Sequence, residues 1–118
     1  MDLLITGGGG QLGRDCAATL SALGRVVALA RRDLDIGDEA RVREVLGNLR
    51  PAVIVNCAAF TAVDACESQP EAAWRANALG PAALARTAMR LGSLLVHFST
   101  DYVFDGARPA PQAYTEED

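Results

Sequence analysis

The chain contains no lysine; all eleven of its positive charges are arginines. That absence excludes a Walker A phosphate loop, a Schiff-base lysine and any Tyr-x-x-x-Lys catalytic pair within these residues. Histidine is almost as scarce. His97 stands alone, and the three cysteines, Cys16, Cys57 and Cys66, are odd in number and lack metal-like spacing. They read as free thiols in a reducing compartment, with Cys57 a small core residue inside an apolar run. Aromatics make up only 5% of the chain, so its apolar half rests on Ala, Leu and Val. The net charge of −4 leaves no basic field to collect nucleic-acid phosphates. No apolar run approaches the ~18–20 residues of a membrane span. The start, Met1-Asp2-Leu3-Leu4, lacks the basic residues of a signal peptide. The expectation is a soluble cytoplasmic protein with no nucleic-acid, membrane or metal partner. With 118 residues, half of them hydrophobic, it has one core and one domain at most.

What is present alternates. Leu3 to Thr6 is a short run apolar on both sides of the chain, the pattern of a strand covered on two faces. From Gln11 to Leu23, the residues Leu12, Cys16, Ala17, Leu20 and Leu23 form one helical stripe, with Gly24 as its stop. Val26 to Ala30 reads as a second strand. Asp38 caps a helix that runs to Leu49, and Pro51 prevents its continuation. Ala52 to Ala59 is a third buried strand running into a turn. Phe60 to Gln69 reads as loop with a short helical turn, and Pro70 opens a helix. Residues 72–91 are strongly helical, with Gly80-Pro81 expected to kink or break them and Gly92 to end them. Leu94 to Ser99 is a fourth strand. Strand and helix in alternation predict an α/β fold, a Rossmann-type doubly wound parallel sheet with helices on both faces, here as a partial domain.

The turn after the first strand carries Gly7-x-x-Gly10-x-x-Gly13 and Gly8-x-Gly10-x-x-Gly13. Such glycines permit a tight turn, let the backbone approach a pyrophosphate and pack a helix close to its strand. The helix end adds unpaired N–H groups and a positive dipole end. At the end of the second strand, where an acid would hold the ribose 2′-hydroxyl of NAD, stand Ala30, Arg31 and Arg32. Two guanidinium groups suit a 2′-phosphate and favour NADP(H); the alternative is a solvated arginine pair. Asp33 and Asp35 leave room for NAD(H). Beyond the fourth strand, Ser99-Thr100-Asp101-Tyr102 sets hydroxyls at the edge where ligands of such sheets bind.

Three segments occur in order along the whole chain: Gly7-x-x-Gly10-Gln11-Leu12-Gly13, then Asn56-Cys57-Ala58-Ala59-Phe60-Thr61-Ala62-Val63-Asp64 with Glu67, then Ser99-Thr100-Asp101-Tyr102-Val103-Phe104-Asp105-Gly106. Together they resemble the dTDP-4-dehydrorhamnose reductase family of the extended short-chain dehydrogenase/reductase superfamily. The resemblance implies NADP(H)-dependent reduction of the 4-keto group of dTDP-4-dehydro-6-deoxy-L-mannose to dTDP-L-rhamnose. It implies that Gly10, Gln11 and Leu12 touch the pyrophosphate and that Arg31 and Arg32 select the adenosine ribose. Asp35 and Ile36 would flank the adenine, and Ala59, Phe60 and Thr61 would line the nicotinamide-side ribose. Thr100 would be the catalytic hydroxyl, with Asp101 beside it toward the dTDP-sugar. In this family the proton comes from the Tyr of a Tyr-x-x-x-Lys pair. Here Gly106 follows Tyr102 by four residues and Asp118 follows Tyr114. Residues 1–118 are therefore expected to be the N-terminal part of the dinucleotide domain, inactive alone, with the pair and a sugar-nucleotide domain beyond them. Its uncovered sheet edge is compatible with a homodimer. Another nucleotide-sugar enzyme of the superfamily, or a non-catalytic binding module like the regulatory subunit of methionine adenosyltransferase, remains the alternative.

Overall fold

A computed structural model describes residues 1–118. Strands β1 (Asp2–Thr6), β2 (Arg25–Leu29), β3 (Val53–Asn56) and β4 (Leu94–His97) form one parallel sheet in the order β2-β1-β3-β4. The chain reverses direction across the sheet after β2. The connections therefore lie on opposite faces, as right-handed crossovers require. Helix α1 (Gln11–Leu20) covers one face. Helix α2 (Glu39–Leu49) and α5 (Gly80–Leu91) cover the other, and between β3 and α5 run α3 (Val63–Ser68), α4 (Pro70–Trp74) and a π-helical turn, Arg75–Leu79.

Alternation in the strands decides the layers. Leu4 and Ile54, paired across β1 and β3, point into the core formed with Val42 and Leu46 of α2 and with Ala83, Leu84 and Ala88 of α5. Leu3, Val53 and Val55 have the other parity and share a groove with Cys16 and Leu20 of α1. That second face is incompletely covered. Leu94 is 62% exposed and Phe98 47%. The fourth strand is thus covered on one face and open on the other, unlike the first.

Local chemistry sets the element ends. Asp38 caps α2 by accepting from Arg41 N at 3.1 Å, and Gly92 ends α5 at φ +70°. Three expectations need correction. Helix α1 stops at Leu20, and Gly24 is not its left-handed stop. Gly24 is small because a Cβ there would lie 2.1 Å from Met1 O. Gly80-Pro81 does not break the long helix. Gly80 N bonds back to Arg75 O, five residues earlier. This wider turn carries the chain into α5, where Pro81 sits in the first turn and has no N–H to donate. Strands β3 and β4 end earlier than their apolar runs, because pairing stops at Asn56 and His97.

Candidate functional site

The carboxyl ends of β1, β2 and β3 open into one cleft of about 450 Å³. Its base is the turn from Gly7 to Gly10. Gly7 has φ +69°, and a Cβ there would sit 2.6 Å from Ala58 N. A Cβ at Gly13 would meet Gly7 O at 2.3 Å, so α1 lies directly on the turn. The protein itself therefore demands glycine at both positions. Gly10 differs. Its Cβ would meet only Gly7 O, at an ordinary 3.4 Å, yet Gly10 lines the cleft. Glycine there leaves space for something outside the chain.

Gly10 is the residue before α1, in an extended conformation and with no side-chain cap. Gly10 N donates to Gly7 O, and the first helical bond belongs to Arg14 N. The N–H groups of Gln11, Leu12 and Gly13 have no acceptor in the protein. No acid stands in the first turn. Three orphan donors at the positive end of a helix, beside a cleft, suit an anion.

Arg31, Asp35 and Ile36 line the side of the cleft next to β2. The Arg31 side chain is 82% exposed and only loosely paired with Asp35, at 3.9 Å. Arg32 lies outside the lining and within 3.8 Å of Asp33. Asp33 accepts from Ala30 N, and Asp35 from Gly37 N, so both acids hold their own turns. Ile36 is 3% exposed and packs against Gly80, contributing to the floor of the cleft and to the core at once.

The opposite wall is the segment after β3. Asn56, 1% exposed, organises it. Its Oδ1 accepts from Thr6 Oγ1 at 2.6 Å and from Ala58 N at 3.2 Å. With its oxygen so engaged, the amide nitrogen donates to His97 Nδ1 at 3.0 Å, which leaves the imidazole proton on Nε2. Thr6, Asn56 and His97 are register partners, so one polar line crosses three strands. Farther along, Asn77 in the π-turn clamps Phe60, accepting from its N–H at 2.8 Å and donating to its carbonyl at 2.9 Å. Ala59 and Phe60 line the cleft; Thr61 does not.

Cys57 is not the buried core residue that its apolar run suggests. It is half-buried and lines the cleft. Burial, then a hydrogen bond with Cys16, pushes its thiol up to about 11. The sequence also gave no notice of Gly9, Leu34, Ala58 and Gln69 as lining, nor of Asn77. Ala65, Ala72 and Ala76, which also line it, were likewise not singled out.

Gln11, Leu12 and Gly13 follow Gly10 in the first turn of α1 and are not part of the cleft lining. Thr100 and Asp101 lie past β4, exposed and outside the cleft. Thr100 caps a 3-10 turn, Asp101–Val103, by accepting from Tyr102 N at 3.1 Å; its own proton has no acceptor. The Tyr114 hydroxyl is fully engaged, donating to Asp105 and accepting from Arg108 N.

Residues 1–118 match the family model described as RmlD substrate binding domain. A dTDP-4-dehydrorhamnose reductase from Burkholderia thailandensis is 45% identical over 116 residues, 98% of this chain and 39% of that protein. The crystal structure of a dTDP-4-dehydrorhamnose reductase from Clostridium acetobutylicum superposes with a TM-score of 0.93 at 43% identity, covering 100% of this chain and 42% of the other. That of the Bacillus anthracis enzyme in complex with NADP gives 0.86 at 37% identity, covering 92% and 39%. The chain thus spans about two-fifths of the length of these relatives.

Proposed function

The chain belongs to the RmlD substrate binding domain family, and from that premise we propose that it forms the dinucleotide-holding part of an NADP(H)-dependent reductase of dTDP-4-dehydro-6-deoxy-L-mannose. The observation that carries the reading is the set of three unpaired N–H groups at the head of α1, beside a Gly10 with room to spare. A pyrophosphate fits that cradle. When bound, NADPH supplies a hydride to the 4-keto carbon, and the product is dTDP-L-rhamnose.

This chain's residues do the holding. The N–H groups of Gln11, Leu12 and Gly13 take the pyrophosphate, and Gly7 and Gly13 fix the turn that aims them. Arg31, exposed on the cleft wall, meets a 2′-phosphate, with Arg32 as a second charge from outside the lining. Asp35 and Ile36 flank the adenine. Ala59 and Phe60, held by Asn77, and Thr61 next to them, line the nicotinamide-side ribose. The Thr100 hydroxyl, whose hydrogen has no acceptor in the chain, hydrogen-bonds the carbonyl oxygen as negative charge develops there without giving up its proton, and Asp101 stands toward the sugar nucleotide. Neither Tyr102 nor Tyr114 has a lysine four residues on, and the Tyr114 hydroxyl is already committed. The proton donor is therefore assigned to residues outside these 118.

Fluorescence titration with NADPH and NADH tests the reading. NADPH is expected to bind more tightly, and Arg31→Ala to remove roughly 1.5–3 kcal/mol of that preference. NADH binding equal to or better than NADPH, unchanged by Arg31→Ala, overturns the cofactor choice. No binding of either overturns the reading.

A further inference from the structure

Eleven arginines carry all of the chain's side-chain positive charge, and six of them are paired with acids: Arg25, Arg31, Arg32, Arg41, Arg86 and Arg108. Of the five without an acid partner, Arg14 alone has a side-chain hydrogen bond, and that bond is made to the glycine turn. Its Nη1 donates to Gly9 O at 2.6 Å, a short, charge-assisted contact. Gly9 and Gly10 both line the cleft. Helix geometry explains the reach. Side chains of a helix lean toward its N-terminus, and Arg14, at the fourth position of α1, thereby brings its guanidinium back to the turn that precedes the helix.

That placement works against the free protein. The head of α1 is the positive end of a helix, and no acid stands in its first turn. A cation there opposes the dipole. Departures from a local rule of this kind mark functional positions. We propose that Arg14 is a further dinucleotide-binding residue, a cation that completes the charge balance of the pyrophosphate cradle and is held ready by the Gly9 carbonyl. The proposal rests on the dinucleotide reading above. A pyrophosphate diester brings two negative charges. The helix end offers about half a positive charge, and the three unpaired N–H groups are neutral. Arg14 supplies a full unit more. Gly9 engages only one of the guanidinium's N–H donors, and the others are free to take phosphate oxygens.

Arg14 and Arg31 act on different parts of the ligand. Arg31 lines the wall next to β2, where the 2′-phosphate is assigned, and Arg14 is bonded to the glycine turn at the head of α1. Loss of Arg31 therefore weakens NADPH and spares NADH. Loss of Arg14 weakens both alike, since both carry the same pyrophosphate. The contact is equal in ground state and transition state, so without it KM for the dinucleotide rises and kcat stays.

The test compares wild type with Arg14→Gln and Arg14→Lys, by fluorescence titration with NADPH and NADH and by thermal melts without ligand. Arg14→Gln is expected to bind both dinucleotides about ten-fold more weakly. Arg14→Lys, which keeps the charge, recovers most of the affinity. Raising ionic strength from about 0.01 M to about 1 M shortens the screening length from roughly 30 Å to roughly 3 Å, so wild-type affinity falls with salt more steeply than that of Arg14→Gln. The melting temperature of ligand-free Arg14→Gln stays or rises, because a charge opposed to the dipole has gone. Arg14→Gln that binds both dinucleotides as wild type does, Arg14→Lys no better than Arg14→Gln, or equal salt slopes overturn the proposal. So does a lowered melting temperature, which makes Arg14 a residue of the fold alone. Wild-type protein that binds neither NADPH nor NADH instead overturns the dinucleotide reading, an outcome distinct from any defect confined to the variants.

Discussion

Asn77 and Phe60, seventeen residues apart, are joined by two hydrogen bonds in opposite directions, 2.8 Å and 2.9 Å long. One amide side chain thereby replaces the neighbouring strand that a backbone in this position would otherwise pair with. The π-turn gives Asn77 its place, and the clamp gives the wall of the cleft its shape. Asn77→Ala is expected to cost about 1–2 kcal/mol in urea unfolding and to weaken dinucleotide binding. Asn77→Asp keeps the acceptor and loses the donor, so it should fall between the two. An Asn77→Ala protein with unchanged dinucleotide affinity would show that Phe60 holds its position without the clamp.

Two glycines of the same turn separate folding from binding. Gly7→Ala places a Cβ 2.6 Å from Ala58 N at a positive φ. A loss of about 2–3 kcal/mol or more follows. Gly10→Ala meets only an ordinary contact at 3.4 Å. Its melting temperature should stay near wild type while NADPH affinity falls. Thermal melts beside titrations distinguish the two; a destabilised Gly10→Ala protein contradicts the assignment.

Thr100→Val is expected to lower turnover of the complete reductase by roughly 10²–10³, the usual effect of removing one donor to a developing oxyanion. Dinucleotide affinity should change little. Loss of the cap on the following turn costs about 1 kcal/mol, and Thr100→Ser, which keeps both the cap and the proton, should restore most of the rate. Near-normal turnover in Thr100→Val would reduce the residue to a cap.

Acid should weaken the fold through named carboxylates. The Arg86 guanidinium beside Glu39 holds that carboxyl below the usual range and ties α2 to α5. Arg25 does the same for Asp2, and Ala107 N and the Tyr114 hydroxyl do so for Asp105. Each is lowered in the folded state. Its contribution is therefore complete above the ordinary carboxylate value, near 4, and is lost as pH falls through the lowered one. Melting temperatures should hold between pH 7 and 5 and drop below 4. Glu39→Gln should flatten part of that drop; a profile identical to wild type would remove Glu39 from it.

The sheet and the glycine turn were legible because their signals are local. An apolar run, a cap at Asp38 and a stop at Gly92 each act within one or two turns of chain. Gly24 misled because Leu23 extends the apolar stripe although it is 59% exposed, and because the glycine answers to Met1, far away in sequence. The π-turn was hidden for a related reason: Gly80-Pro81 carries a breaking signal, but Ile36 packing against Gly80 keeps the helix going. Asn77 owes its role to a partner 17 positions away, which no short window along the chain contains. Of the proposed site, Gly7, Gly10, Arg31, Asp35, Ile36, Ala59 and Phe60 do share one cleft, while Gln11, Leu12, Gly13, Arg32, Thr61, Thr100 and Asp101 lie outside its lining.

The donors at the head of α1 belong to the main chain. No exchange of side chains at Gln11 or Leu12 removes them, so an alanine scan through those two positions leaves these groups untested. Only proline deletes an amide hydrogen. If these donors hold a pyrophosphate as proposed, sequence drift can rewrite the surface of this helix while that recognition stays fixed, and a survey that ranks positions by side-chain importance will pass over them.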